Sequence, residues 1–182
     1  MPRTARSRRA RFVAAPLAAV AALTMIGCTQ PGGSTAFEVE GHSASLNELQ
    51  DAQTACAGVF GFDASSPNPA LRTMVLQGLI GKALVEQNDL AFTDGQVSDV
   101  VSEDEDMAAA LADPGCGPIV RDYGIFFLAA TEVGAEEGIE QISAMDVRVN
   151  PRVGSWDAEQ LALRHTNGSL SKVGPATLDS QG

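Results

Sequence analysis

The segment from Asn68 to Gln87, NPALRTMVLQGLIGKALVEQ, limits what this chain can fold into more than any other. Leu71, Met74, Val75, Leu79 and Ala83 recur at helical spacing, with Leu76, Ile80 and Leu84 on a flanking row. Asn68 supplies a side chain that can cap, and Pro69 suits the first helical turn. An apolar face this broad is buried only if other elements pack on it, which calls for a mainly α domain. Gly78 and Gly81 lie on the same helix and suit close approach by a neighbouring helix rather than a phosphate-cradling loop.

The rest of the chain supplies partners. AFEVEGHSAS alternates Phe37 and Val39, then turns at Gly41 with His42 in the turn, which reads as a short strand. Ser45-Leu-Asn-Glu48 is a capping box opening a helix to about Phe60. Thr93-Asp-Gly-Gln96 is a second one, ahead of Val97, Val100 and Val101. DPGCGP (113–118) breaks the chain. Residues 119–142 then read as one long helix or two, with Tyr123, Phe126 and Phe127 expected in the core. Val147 and Val149 alternate around Arg148, and Asn150-Pro151 makes a kink or turn. From about Ala158 the chain is polar and weakly periodic, a tail to residue 182. Four to five helices are expected, clasped by a two-stranded pairing of Phe37–Val39 with Val147–Val149, because pairing satisfies both sets of backbone groups.

Residues 1–11 hold five arginines and no acid, and Phe12 to Gly27 is uncharged and alanine-rich. A basic stretch followed by an apolar one of this size is the pattern of a secretory signal, shorter than the roughly 20 apolar residues a spanning helix needs. MIGC, ending at Cys28, resembles a bacterial lipobox, with Met25 where leucine is usual. The expectation is a signal peptide over 1–27, a lipidated Cys28, and a flexible tether over 28–35 leading to a folded domain over 36–157. Localisation follows: anchored by lipid to the extracytoplasmic face of the cell membrane.

Residues 28–182 hold seven basic against 23 acidic residues, a net charge of −16. Such a surface repels nucleic-acid phosphates and anionic headgroups, so no nucleic-acid partner is expected and membrane attachment rests on the lipid. SEDED (102–106) lacks the glycine and distal glutamate of an EF-hand loop and reads as a solvated helix end. Two cysteines remain beyond Cys28. Cys56 and Cys116 in an oxidising compartment suggest one structural disulfide, worth roughly 4 kcal/mol in the chain-entropy model; two buried thiols are the alternative. No metal or cofactor is expected. His42 and His165 have no neighbouring nucleophile-and-base pattern and read as surface residues. Arg152 and Trp156 could anchor a partner, since such residues concentrate interface energy, although the favoured reading is that the only tryptophan covers the core beside the last strand.

The stretches VEGHSASLNELQDA (39–52), LRTMVLQGLIGKALVEQNDLAFTDGQVSDVV (71–101) and VRVNPRVGSWD (147–157), taken in order, resemble the N-terminal domain of the periplasmic chaperone SurA and related extracytoplasmic foldases. The last is also similar to the terminal strand of actinobacterial lipoproteins bearing this domain. The resemblance implies binding of unfolded or exported polypeptides, or of an envelope protein, outside the cytoplasm. Foldases of this kind often carry a parvulin-type isomerase domain of about a hundred residues; some 25 residues follow Asp157 here, so a non-catalytic role is expected. A dedicated docking or assembly partner of one cell-envelope complex is the alternative.

Overall fold

The computed structural model describes residues 33–164. Two strands, β1 (Thr35–Val39) and β2 (His42–Ser45), precede six helices. These are α1 (Leu46–Phe60), α2 (Pro69–Gln87), α3 (Asp94–Val101), α4 (Glu105–Ala112), α5 (Gly117–Val133) and α6 (Ala135–Ala144). Three short strands follow: β3 (Val147–Val149), β4 (Ser155–Asp157) and β5 (Ala162–Arg164). The architecture is mainly helical with two small antiparallel sheets.

β1 does pair with β3, Phe37 opposite Val149 and Val39 opposite Val147, so the ends of the helical block are joined as expected. The sheet is nevertheless three-stranded, in the order β2-β1-β3. His42, expected in a turn, begins β2 opposite Val39. The reversal takes only Glu40 and Gly41, both at positive φ (48° and 88°), as a tight right-twisted hairpin demands. Glycine adopts that conformation readily and glutamate does not. The Glu40 carboxylate accepts a hydrogen bond from the Asp146 backbone N–H at 2.7 Å, which ties the strained turn to the start of β3.

The helix starts follow the chemistry of their caps. Ser45 and Glu48 satisfy each other's backbone donors at α1, and Thr93 and Gln96 do so at α3. The Asn68 side chain accepts from the Leu71 N–H at α2. Six helices rather than four or five arise at two places. Asp104 accepts from Asp106 and Met107 N–H and opens α4, so SEDED both ends α3 and begins a new helix. Gly134, at φ 92°, divides residues 117–144 into α5 and α6.

α5 lies against α2 on one side and α3 on another, and glycines set how near. A Cβ on Gly81 would stand 2.7 Å from the Phe126 backbone, and one on Gly78 would stand 2.9 Å from the Asp122 Cβ. On the opposite side a Cβ on Gly124 would meet Val101 Cγ1 at 2.8 Å. Lys82 and Asp122, 2.7 Å apart, flank the α2–α5 crossing. α2 therefore runs through the interior. Leu76, Leu79, Ile80 and Leu84 enter a core closed by Phe37 and Val39 of the sheet, while Leu71 enters a second core around Cys56, Cys116, Val101 and Val120.

Two further expectations are corrected. The stretch from Ala158 is not simply a tail, because Ala162–Arg164 pairs with Ser155–Asp157 and buries Leu163. A three-residue strand carries too little periodicity to stand out from a polar background. Phe127, expected in the core, is 43% exposed. It follows Phe126 by one position, about 100° further round α5, and that turn carries its ring off the face that packs on the core. Phe126 packs on the sheet-side core instead.

Candidate functional site

The Asp113 carboxylate accepts from the backbone N–H groups of Gly115 and Cys116 and shapes the break before α5. That turn brings Cys116 against α1, where its sulfur lies 1.98 Å from that of Cys56, at disulfide distance. Both cysteines are fully buried, so the pair belongs to the core and offers no accessible thiol. Residues 1–32, with the expected leader and Cys28, and residues 165–182, with His165, lie outside the described residues. His42 Nε2 is 3.0 Å from Glu86 on α2, a contact between strand and helix.

The open face of the molecule lies beside the disulfide-side core. α3, the turn after it, α4 and α5 enclose a shallow groove of about 300 Å³. Val100, Val101 and Met107 form its floor, Tyr123 and Phe127 one wall, and Glu103 and Asp104 the rim. The geometry follows from local structure: Asp104 caps α4, so the acidic run crosses the groove mouth while α4 descends beside α5. Tyr123 and Phe127, one turn apart on α5, meet edge to face with ring centres 4.8 Å apart, and Phe126 meets Phe127 at 5.6 Å. These contacts hold the exposed ring in place. Burial pushes the Tyr123 phenol above its ordinary pKa, so it stays protonated at neutral pH. Sequence reading marked these three aromatics as core and missed the groove. The available signal was the adjacency of two phenylalanines followed one turn later by Thr131 and Glu132.

Arg152 and Trp156, the suggested partner anchors, lie apart from that groove. The Trp156 ring packs against the sheet-side core, with its indole N–H buried and unbonded among the described residues. Arg152 is exposed on a turn organised by Asn150, a buried residue that sequence reading treated only as a kink. The Asn150 side chain donates to the Thr35 carbonyl at 2.8 Å and accepts from the Arg152 N–H at 3.0 Å. Its backbone N–H donates to Ala36. The turn is thereby fixed to β1.

A second missed residue is Gln53, buried on α1. Its amide nitrogen donates to the Ala64 carbonyl at 2.9 Å and also to the Ser66 carbonyl, while its oxygen accepts from Asn68 N–H at 3.2 Å. One side chain thus holds the whole loop between α1 and α2. The loop and the Asn150 turn face each other across a polar cleft that Arg72 and Arg152 both line.

Among the described residues no helix is long and apolar enough to cross a membrane. Compared with family models, with curated proteins and with solved structures, the chain matches none.

Proposed function

We propose that the protein is a lipid-anchored module on the outer face of the cell membrane that holds segments of exported polypeptides and catalyses no reaction on them. The groove between α3, α4 and α5 carries this reading. Its apolar floor and the outward ring of Phe127 suit an apolar side chain of an extended segment, with hot-spot aromatic contact at one wall. Its rim suits a basic residue beside that side chain, because Glu103 and Asp104 line it, exposed, with Glu105 and Asp106 exposed next in sequence, on a chain of net charge −11. The ordered resemblance to the SurA N-terminal domain supports polypeptide as the ligand class, and the basic-then-apolar leader ending at Cys28 supports the location.

The test is a light-scattering assay of an unfolded client carrying mixed apolar and basic segments. The intact protein should slow its aggregation in a dose-dependent way. Phe127→Ser should lose most of that effect with an unchanged far-UV spectrum, since the ring is outside the core. Indifference of every client would remove the holding role. A pull-down of the lipidated form that returned one stoichiometric envelope protein would replace it with dedicated docking. Mass spectrometry of the native product should find an acylated Cys28 as its first residue.

A further inference from the structure

Six lysines and arginines lie among the described residues, and four of them face a carboxylate. Lys82 meets Asp122, Arg121 meets Asp94, Arg148 meets Glu38 and Asp146, and Arg164 meets Asp157. The two that face none are Arg72 and Arg152, and both line the same cleft of about 220 Å³. In so acidic a chain this is a local reversal of charge.

The cleft's polar groups are largely committed elsewhere. Gln53 is fully used in holding the α1–α2 loop. Asp63, the acid of that loop, accepts from the Ser65 backbone and hydroxyl and from the Ser66 hydroxyl. Arg72 gives one nitrogen, Nη1, to the Val153 carbonyl at 3.0 Å. Its Nε is sealed from solvent without a partner, and no hydrogen bond joins Nη2 to a described residue. Burial accordingly pulls Arg72 below the ordinary arginine pKa with no anion to offset it. Arg152 is exposed, its guanidinium bonds no described residue, and the Asn150 turn fixes its backbone. Leu46, Leu49 and Pro67 supply apolar walls.

We propose that this cleft binds the carboxylate of a ligand between Arg72 and Arg152, with the adjoining hydrocarbon on Leu46, Leu49 and Pro67. A guanidinium offers paired donors that match a carboxylate's two oxygens. The apolar walls favour an organic acid over an inorganic anion, and a net negative chain repels a dianion more than a monoanion. A free aliphatic acid and the C-terminus of a polypeptide share this chemistry. The site stands independently of the groove beside α4 and of the polypeptide-holding reading.

The experiment titrates the intact purified protein, in detergent, with N-acetyl-leucine, N-acetyl-leucinamide, inorganic phosphate and an acetylated hexapeptide ending in leucine, read by ligand-detected NMR. N-acetyl-leucine should bind, with the amide and phosphate at least about tenfold weaker. Arg152→Gln should weaken binding about tenfold or more, as loss of a charge-assisted hydrogen bond does. It changes an exposed residue, so the far-UV spectrum should be unaltered. Arg72→Lys, which keeps the stem and the charge but not the fork, should weaken it as well. A hexapeptide bound about tenfold more tightly than N-acetyl-leucine identifies a polypeptide terminus as the source, and equal affinity identifies a free acid; either supports the site. Equal binding of acid and amide, equal binding of phosphate, no binding of N-acetyl-leucine, or an Arg152→Gln protein with unchanged affinity overturns it.

Discussion

The sheet side of the interior buries Phe37, Leu76, Ile80 and Leu84 almost completely, whereas the disulfide side is built from Leu71, Val101, Val120 and alanines around Cys56 and Cys116. On the sheet side, strands distant in sequence close over α2, and Trp156, Val153 and Leu163 seal the edge. On the disulfide side, a covalent link stands where large fully buried side chains are few, and shallow openings flank it. One is the α3–α4–α5 groove; another, of about 220 Å³, lies among Phe60, Phe62, Leu71 and Met74, and a third lies among Leu111, Pro114, Pro118 and Arg121. Burial stabilises at roughly 25 cal/mol per Å² of apolar surface, so the side with smaller buried residues gains less from packing. A cross-link that restricts the unfolded chain offsets that shortfall while leaving apolar surface open to a ligand. The same molecule thus has one end closed mainly by packing, with a polar cleft at its margin, and one end tied by a disulfide with apolar openings.

The largest expected effect tests the closed end. Phe37→Ala removes a fully buried ring at the centre of the three-stranded sheet and should cost about 3–5 kcal/mol in denaturant unfolding. A loss below about 1 kcal/mol would mean that the sheet is not the main seal.

Breaking the sulfur link tests the tied end. Cys56→Ala with Cys116→Ala should cost at most about 4 kcal/mol for a separation of 60 residues. Hydrogen exchange should rise first in α1, α4 and the start of α5, with the amides of β1 and the C-terminal half of α2 the last to open. Uniform acceleration across both ends would erase the distinction drawn between them.

Gly81→Ala tests the close α2–α5 contact that joins the two ends. Its methyl would meet Phe126 backbone at 2.7 Å, so α2 and α5 must separate. The expected loss is about 1–3 kcal/mol by thermal unfolding. The shift should also disturb the aromatic group on α5 and change groove binding, which Phe37→Ala should not do below its unfolding temperature.

The smallest effect is electrostatic. The Ser45 backbone N–H and hydroxyl hold the Glu48 carboxyl below its ordinary pKa. A carboxyl whose folded pKa is lowered contributes stability above its unfolded value and loses it as pH falls through the folded one. Ser45→Ala should cost about 1 kcal/mol near neutral pH. The difference from the parent protein should narrow in acid, below the ordinary glutamate range, because protonated Glu48 no longer favours the donors. A pH-independent difference would assign the loss to the bond from the Glu48 N–H to the Ser45 hydroxyl alone.

Local elements were legible because their causes are local. The two capping boxes, the Asn68-Pro69 start and the stripe from Leu71 to Leu84 each produce the helix read from them. β2 was hidden because His42–Ser45 has no apolar alternation of its own, becoming a strand only through pairing with β1. β5 was hidden for the same reason, and the α4 start was concealed within a charge run. For the groove, the relevant residues were visible but their side was not. Phe126 and Phe127 look alike in sequence, and only the position of α2 decides which one is covered.

By itself the sequence determined that this chain makes a mainly helical domain around the 69–87 helix, and it made the meeting of Phe37–Val39 with Val147–Val149 and the pairing of Cys56 with Cys116 the expectations. Only the tertiary structure decided that Arg72 and Arg152 share a cleft, that Gln53 and Asn150 hold the loops around it, and that Phe127 faces outward. Caps and periodicity act within a few residues, so they are written in neighbouring letters. Exposure and the meeting of side chains 80 positions apart depend on where α2, α5 and the sheet pack, a balance of burial over the whole domain that no short stretch contains.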